Sequence, residues 1–556
     1  MDLGLGLLIF GWIFVIIWVP VVILSQRKIH PKALFVLFFA ELWERFSFYG
    51  MRSLLMLYMV MELFSEMDKG EADTKAYGIY GSYMALVYAT PVLGGIIADK
   101  ILGFRRSIIL GGVFMALGHF VLGFEGQHLL FYLALGLIIV GNGFFKPNIS
   151  SFLGTFYKQN DPRKDGAFTI FYMGVNIGAF LAPLTCGYIG MEVSWFWGFS
   201  LAGFGMLVGL VMFWFNMKGL TIDEDMSDED SSGYESQPSM GEILDQDLAR
   251  KQQPSISREK GLPPNPEELH KPVFLGMSRN ILIILGAVVS VFIAAAVLNE
   301  NDIMKWVMIG IAVLIIGYLL FYSINTDNKV EGQRLQVVIV LFFFHMMFWA
   351  LFEQAGGSLT LFAERNVDRS IFGSEPIPTP IFQSLNPLFI MLLAPVFSWI
   401  WIQLSRRKKE PTTPMKFVLG LVQLCLGFVV LVAGAKLFAG NGFVPLIFLV
   451  LMYMLHTMGE LSLSPVGLSM VSKLSPPRIV GFVMGAWFLS MALAHEVAAE
   501  LGKLTSVPDA ETANVFETLN AFSDMYAVWG IFGIGGASLL LFLLTKPLSR
   551  MMHGIH

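Results

Sequence analysis

The chain has 556 residues, of which 55% are hydrophobic and 14% are charged, with a net charge of −5 and a mean hydropathy of +0.66. This composition excludes a soluble globular protein, because apolar runs of about 18 to 25 residues recur along the whole chain. It also argues against a nucleic-acid partner, since the basic residues lie in short loops beside the apolar runs. The two cysteines, Cys186 and Cys425, fall inside predicted spans and indicate no disulfide framework.

The first apolar run, from about Leu3 to Ser25, is long enough to cross a bilayer. It has neither a basic start nor a small-residue cleavage site. We therefore predict that it is a retained anchor rather than a cleaved signal peptide.

The second apolar run, from about Pro31 to Val60, carries an unusual number of ionisable residues. At about 100° per residue, five polar residues fall within an arc of roughly 140° on one helix face: Glu41, Glu44, Arg45, Tyr49 and Arg52. A charge at the centre of a spanning helix costs about 2.5 to 3.5 kcal/mol, so such residues normally line a polar interior. The pattern predicts a pathway for protons or charged solutes.

The remaining apolar runs predict a polytopic all-α membrane protein with fifteen spans. The charged helix starts the first of two sets of six. Eleven further core spans and two intervening ones are expected near residues 77–98, 107–124, 129–157, 166–189, 195–217, 279–298, 305–323, 336–363, 379–403, 415–438, 443–472, 479–503 and 523–547. The predicted domains are an extra helix (1–30), a six-helix bundle (31–218), an acidic disordered loop (219–278), two intervening helices (279–325) and a second six-helix bundle (326–556).

Basic residues mark one side of the predicted membrane protein. They cluster at Arg27 and Lys28, at Arg105 and Arg106, at Lys158 to Lys164, at Arg406 to Lys409, at Lys473 and Arg478, and at Lys546 and Arg550. The positive-inside rule makes this side cytoplasmic. We therefore expect a multi-pass protein of the cell (inner) membrane, with its C-terminus and the loop 219–278 inside and its N-terminus outside. The loop is too polar to bury a core; a solvated linker and a partner-binding segment both fit its composition.

A weak internal repeat favours two related halves. Pro91 precedes the basic pair Arg105 and Arg106, and Pro395 precedes the basic run from Arg406 at similar spacing. Six-span halves related as parallel repeats form the major facilitator fold, whose substrate site lies near the midplane between the halves.

Four dispersed motifs add a specific resemblance. Glu41-Leu-Trp-Glu44-Arg45-Phe-Ser-Phe-Tyr49-Gly50 is similar to the ExxERFxYYG motif of proton-dependent oligopeptide transporters. The FYxxxNxG element of that family matches Phe171 to Gly178, and its seventh and tenth core spans match Phe348 to Gln354 and Gly459 to Pro465. The chain therefore resembles this family, of bacterial type, which implies import of di- and tripeptides driven by a proton gradient without a cofactor. Phe48 stands where the family usually has a tyrosine, so a hydroxyl contact to substrate is missing there.

A site for many different peptides must bind the groups that all peptides share, which are an ammonium, a carboxylate and a backbone. Arg45 and Lys146 are cations suited to the carboxylate, and Glu460 is suited to the ammonium. Amides and aromatic rings could hold the backbone and side chains. The resemblance implies these substrate-site residues: Arg45, Tyr49, Tyr88, Lys146, Asn176, Trp349, Asn386, Glu460, Ser464 and Trp487. Taken singly, the aromatic and asparagine residues would equally well pack between helices.

Coupling requires acids that carry a proton and contacts that open and close. The candidate proton-coupling residues are Glu41, Glu44, Arg45, Glu353 and Glu460, because forming or breaking an ion pair can bind or release a proton. The resemblance implies two gating pairs between the halves. Arg52 would pair with Glu353 towards the outside, and Lys146 with Glu460 towards the cytoplasm.

Other function classes fit the sequence less well. His495-Glu496-Val-Ala-Ala begins like a zinc-protease HExxH motif, but its fifth residue is Ala499, so neither a metal site nor an enzyme is predicted. His345, His456 and His495 lie in spans and could shuttle protons, or form ordinary hydrogen bonds within the bundle. Two alternatives stay open, a transporter of nitrate or another anion and a non-transporting peptide sensor. We expect the bilayer, peptides and protons as partners, and a functional monomer.

Overall fold

The computed structural model describes residues 2–158, 161–217, 220, 261–269, 271–274, 276–371, 373–507 and 514–555. Most of the predicted acidic loop, residues 221–260, lies outside the described residues. The later part of that loop has defined structure. It forms a short 3₁₀ helix, Pro266–Leu269, and a two-stranded antiparallel sheet of β1 (Pro272–Phe274) and β2 (Met277–Ser278). It is joined to the first bundle where Arg105 N donates to Gly261 O at 3.0 Å.

Eight α-helices make up most of the described part of residues 2–217. They are α1 (Leu3–Gln26), α2 (Lys32–Tyr58), α3 (Lys69–Ile97), α4 (Phe104–Leu122), α5 (His128–Gly154), α6 (Lys164–Ala182), α7 (Tyr188–Glu192) and α8 (Trp195–Asn216). Wider π-helical turns extend α2 (Met59–Leu63) and α3 (Ala98–Leu102), and a third (Pro183–Gly187) joins α6 to α7.

The second half repeats this organisation after two intervening helices, α9 (Arg279–Asn299) and α10 (Asn301–Asn325). Its helices are α11 (Lys329–Phe352), α12 (Ser358–Asn366), α13 (Leu385–Arg406), α14 (Thr413–Leu437), α15 (Leu446–Leu474), α16 (Val480–Lys503), α17 (Val515–Met525) and α18 (Ile534–Met551). Turns of 3₁₀ helix follow α11 (Glu353–Gly356), precede α13 (Thr379–Ser384) and follow α14 (Ala439–Asn441), and a π-helical turn (Tyr526–Gly533) joins α17 to α18. The short strands β3 (Val367–Asp368) and β4 (Val444–Pro445) pair in parallel.

Within the described residues, fourteen helical segments are long and apolar enough to cross a membrane. Helix α2 is not among them because of its charges, although its 27 residues extend about 40 Å. With α2 counted by its position in the first bundle, the predicted fifteen spans are confirmed, as two six-helix bundles, two intervening helices and the extra α1.

Side-chain caps explain where several helices begin. Asp2 accepts from Leu5 N at 3.0 Å, Asp68 from Gly70 N at 2.9 Å, and Asn328 from Val330 N at 3.1 Å. Each cap satisfies a backbone donor that the first turn leaves unpaired.

The helix ends define two ends of the molecule. The ends that carry the basic loops near Arg105, Lys158 and Arg406 lie together and are called the basic end; the other is called the opposite end. The bundles meet along two seams, one between α3 and α16 and one between α6 and α13. The extra helix α1 packs outside the first bundle, where Trp12 Nε1 donates to Thr185 Oγ1 at 2.9 Å.

Candidate functional site

A cavity of about 300 Å³ lies between the two bundles. His456, one of the histidines that could shuttle protons, lines it together with eight of the predicted site residues: Glu41, Arg45, Tyr49, Arg52, Lys146, Asn176, Asn386 and Glu460. The first six come from α2, α5 and α6 of the first bundle, and the last two from α13 and α15 of the second. Residues up to 419 positions apart in sequence, from Glu41 to Glu460, therefore face one cavity.

The charged helix holds two acids against one base. Arg45 Nε lies 3.2 Å from Glu41 Oε1 and 2.5 Å from Glu44 Oε2, and Arg45 Nη2 donates to Glu44 Oε1 at 2.7 Å. Glu44 is fully buried beneath the cavity, and the second oxygen of Glu41 has no hydrogen-bond partner. Two carboxylates thus share one guanidinium, and the Lys146 ammonium in the same cavity is the other cation that acts on them.

The predicted gating pair nearer the opposite end is closed. Arg52 Nη2 pairs with Glu353 at the end of α11, and Arg52 Nε donates to Tyr80 Oη at 2.8 Å. Tyr80 in turn fits tightly against Gly356, where an added Cβ would lie 1.8 Å from its hydroxyl oxygen. These contacts tie α2 and α3 of the first bundle to the end of α11 in the second.

Three further contacts join the bundles at the opposite end. Arg365 on α12 donates two hydrogen bonds to Asp73 on α3, at 2.6 and 2.7 Å. Tyr77 and Thr505 share a hydrogen bond of 3.0 Å, and Ser384 donates to Phe180 O at 2.8 Å. The opposite end is therefore sealed in this conformation.

The second predicted gating pair is open. Lys146 Nζ lies 4.7 Å from the centre of the Tyr88 ring, a cation–π contact within its own bundle. Glu460 instead accepts from Asn386 Nδ2 at 2.8 Å. The cation and the acid thus lie on opposite walls of the cavity, each held by a neighbour from its own side.

Several predicted residues lie outside the cavity wall. Trp349 and Trp487 pack inside the second bundle around His345, which accepts from Trp349 Nε1 at 2.9 Å and lies 3.9 Å from the Trp487 ring. Tyr88 lies behind Lys146, as described above. Asn176 differs from these residues because it lines the cavity, and its amide nitrogen already donates a hydrogen bond to Tyr172 O at 2.9 Å. The side chain of Ser464 lies outside the described residues.

Sequence reasoning missed part of the wall and one ion pair. Tyr172, Gln383 and Tyr453 line the cavity. Gln383 and Tyr453 are of types that are common in membrane helices and gave no signal of their own, whereas Tyr172 lies within the matched FYxxxNxG element. The pair of Asp73 and Arg365 could have been suspected, because each is an ionisable residue at the edge of a predicted span.

The described residues contain no group of three or more histidine, cysteine or acidic side chains that could hold a metal ion. His495 and Glu496, which begin like a protease motif, are both buried at the contact between α16 and α3.

Comparison with known sequences decides the family. The sequence model of the POT family matches residues 105–221 and 270–519, which is more than half of the chain. This protein is a member of the POT family. It is similar to "Uncharacterized transporter YclF" of Bacillus subtilis (35% identical over 95% of this chain and 96% of that protein). It is also similar to "Peptide transporter YePEPT" of Yersinia enterocolitica (34%, 94% and 96%) and to "Dipeptide and tripeptide permease A" of Yersinia pestis (32%, 93% and 92%).

Solved structures agree with this POT family assignment. The crystal structure of peptide transporter POT in complex with sulfate has a TM-score of 0.73 to this protein at 33% identity, covering 94% of this chain and 96% of that one. A mutant of peptide transporter POT in complex with alafosfalin has a TM-score of 0.72 at 34% identity, with the same coverage. The likeness confirms the predicted major facilitator architecture and a multi-pass membrane protein of a transporter family.

Proposed function

We propose that this protein is a proton-coupled symporter that imports di- and tripeptides by alternating access. The observation that carries the proposal is the charge distribution of the cavity. Arg45 and Lys146 lie on the wall from the first bundle, and Glu460 lies on the wall from the second. A free peptide bound between them would place its carboxylate near the cations and its ammonium near the acid. Relatives named as peptide transporters and as dipeptide and tripeptide permeases support the same substrate class.

The contacts between the bundles support alternating access. Arg52 and Glu353 are paired, so the opposite end is closed, whereas Lys146 and Glu460 contact other residues and leave the second predicted gate unpaired. We propose that the basic end faces the cytoplasm, so that this conformation faces inward. In the outward-facing state the first pair would break and the second would form.

The proton pathway would use acids that already share cations. Glu353 forms an ion pair with Arg52, and Glu41 and Glu44 both form ion pairs with Arg45. Protonating Glu353 would release Arg52 and loosen the opposite end, and a peptide carboxylate at Arg45 would compete with Glu41 and Glu44 for the guanidinium. Peptide binding would then change how strongly these acids hold a proton, which is the coupling that symport requires.

The test is uptake of labelled dialanine into liposomes with an imposed inward proton gradient and no other energy source. Wild type should accumulate the peptide. Glu44→Gln should lose accumulation but keep peptide counterflow, since the amide cannot release a proton. The exposed Glu66→Gln is the matched control and should behave as wild type. A folded wild type that moves no di- or tripeptide would contradict the proposal and favour another solute or a sensor.

A further inference from the structure

Glu496 is a buried acid that the transport mechanism above does not use. It is 8% exposed, and its Oε1 has no hydrogen-bond partner. The preceding residue, His495, is 1% exposed, and its Nε2 also lacks a partner. Neither residue lines the cavity. An ionised carboxylate that is buried without a partner is strongly unfavourable, so this site requires either a counterion or a proton.

The acid lies in the seam that joins the two bundles. Helix α16 packs directly on α3 there, since a Cβ added to Gly81 would lie 2.4 Å from Ala499 Cβ and 3.1 Å from His495 O. Ser82 Oγ of α3 lies beside Glu496 without a hydrogen bond of normal geometry. Because the two bundles are in contact along this seam, moving them apart at this level would expose Glu496 to water.

Within the described part of the chain, the cations that face Glu496 from the helices packed around it are already paired with another acid. Lys305 of α10 and Lys503 of α16 both bind Glu500, at 2.9 and 2.8 Å. From α3 the facing polar group is the Ser82 hydroxyl.

A line of contacts also leads from this site towards the cavity. The His495 ring stacks on the Tyr88 ring with 5.0 Å between ring centres. The Lys146 ammonium lies 4.7 Å from the centre of the same Tyr88 ring. Lys146 lines the cavity. A movement of His495 at the seam would therefore change the surroundings of Lys146, a predicted gating residue.

We propose that Glu496 is a second proton-binding site, separate from the cavity acids, which takes up a proton from the outer solution as the seam between α3 and α16 closes. The neutral acid can donate a hydrogen bond to Ser82 in the closed seam, whereas the ionised acid is stable only when water reaches it. Protonation of Glu496 therefore favours the conformation in which the opposite end is closed, in the opposite sense to protonation of Glu353, and reopening returns the proton to water. The role in transport rests on the proposed function, but the binding of the proton does not.

The test measures the seam directly in the full-length protein in liposomes, without peptide. Spin labels are placed on Glu71→Cys at the start of α3 and on Leu504→Cys just after α16, both exposed positions. They flank the same end of the seam, where a Cβ on Gly70 would lie 2.5 Å from Val507 O. Protein without added cysteines controls for labelling of Cys186 and Cys425. Distances are measured by electron spin resonance from about pH 8 to about pH 5.

Because Glu353 acts in the same way in both proteins, the test compares wild type with Glu496→Gln, and the shortfall of short distances in wild type should shrink as the pH falls. Glu496→Gln stays neutral and should hold the seam closed at the alkaline limit, with at least about a twofold larger short-distance fraction than wild type there. Glu496→Leu should do the same, which keeps the test available if the glutamine variant folds poorly. The control Glu66→Gln should follow wild type.

A wild type that is closed at every pH, or a Glu496→Gln profile that overlays that of wild type, would overturn the proposal. The labels report conformation without substrate. A protein that carries no peptide could therefore still confirm the proton site, and an active peptide transporter could still refute it.

Discussion

At the scale of single residues, the site contains charged side chains that share an ion-pair partner or are not paired with an opposite charge. Arg45 serves both Glu41 and Glu44, while Lys146 and Glu460 face the cavity without pairing with each other. Phe48, which replaces the tyrosine usual in the family, lies with its ring 5.3 Å from the Arg45 guanidinium carbon. The residue thus supports the guanidinium by a cation–π contact, although it offers no hydroxyl.

The role assigned to Glu460 predicts how the protein distinguishes free from blocked peptides. Wild type should bind dialanine more tightly than N-acetyl-dialanine, because only the free ammonium can pair with the carboxylate. Glu460→Gln should lose about 10- to 100-fold of affinity for dialanine, the loss expected for a charge-assisted hydrogen bond, and should bind the acetylated peptide as wild type does. Competition for uptake of a labelled peptide measures both affinities. An unchanged preference for the free amine in the variant would place the ammonium elsewhere.

His30, in the link between α1 and α2, predicts a pH dependence of stability. Burial, with a further contribution from Arg163, lowers the pKa of His30 below its ordinary value of 6.5. The unfolded chain therefore binds a proton at this residue before the folded protein does, so stability should fall as the pH drops below about 6.5. Melting temperatures at neutral and mildly acidic pH should show a smaller acid loss for His30→Gln than for wild type.

The exposed His128→Gln provides the matched control for the His30 variant and should keep the full acid loss of wild type. His30 is also within 3.1 Å of the Tyr157 hydroxyl, so both variants are compared at neutral pH first. An equal acid loss in wild type and His30→Gln would contradict the prediction.

Much of this residue-level site could be predicted from the sequence, for a physical reason. Ionisable groups inside an apolar span are costly, so Glu41, Arg45 and Glu460 stand out against their surroundings. Aromatic residues do not, because Trp349 in the packed bundle and Tyr453 in the cavity wall have equally apolar neighbours in sequence. The conformation could not be predicted at all, since the same charges serve both states of each gate.

At the scale of elements, the opposite end is closed by short segments rather than by whole helices. The turn at Glu353, helix α12 with Arg365, and the turn before α13 with Ser384 all reach across to the first bundle. The sequence predicted the spans that carry these segments but merged α12 with α11. Their hydropathy is continuous, and the break between them at Gly357 depends on backbone geometry.

The ion pair of Asp73 and Arg365 predicts a second lock at this end. Asp73 is 2% exposed and accepts two hydrogen bonds from the guanidinium. Asp73→Asn would leave Arg365 without its counterion in the closed state, so closure should weaken by about 1.5 to 3 kcal/mol. The spin labels at positions 71 and 504 should then show more long distances at neutral pH.

The exposed Glu66→Gln again serves as the matched control for the Asp73 variant and should leave the label distances unchanged. Distances in Asp73→Asn that match wild type would show that Arg52 and Glu353 close this end without help.

At the scale of the whole molecule, the two bundles enclose a single charged cavity whose walls come from both halves. Most of the lining residues come from α2, α5 and α6 on one side and from α11, α13 and α15 on the other. Helix α1 packs outside this assembly and contributes no residue to the cavity wall. The major facilitator architecture was predictable because it rests on hydropathy and repeat spacing, whereas the folded segment 261–278 was not, since its polar composition resembles that of the loop before it.

The central claim is that peptide and proton cross together, and the most direct measurement is internal pH in liposomes that hold a pH-sensitive dye. No proton gradient is imposed, and dialanine is added outside. We predict internal acidification that begins with dialanine, is absent with N-acetyl-dialanine, and is lost in Glu44→Gln while labelled peptide still equilibrates. Peptide entry into wild-type liposomes without acidification would contradict proton coupling.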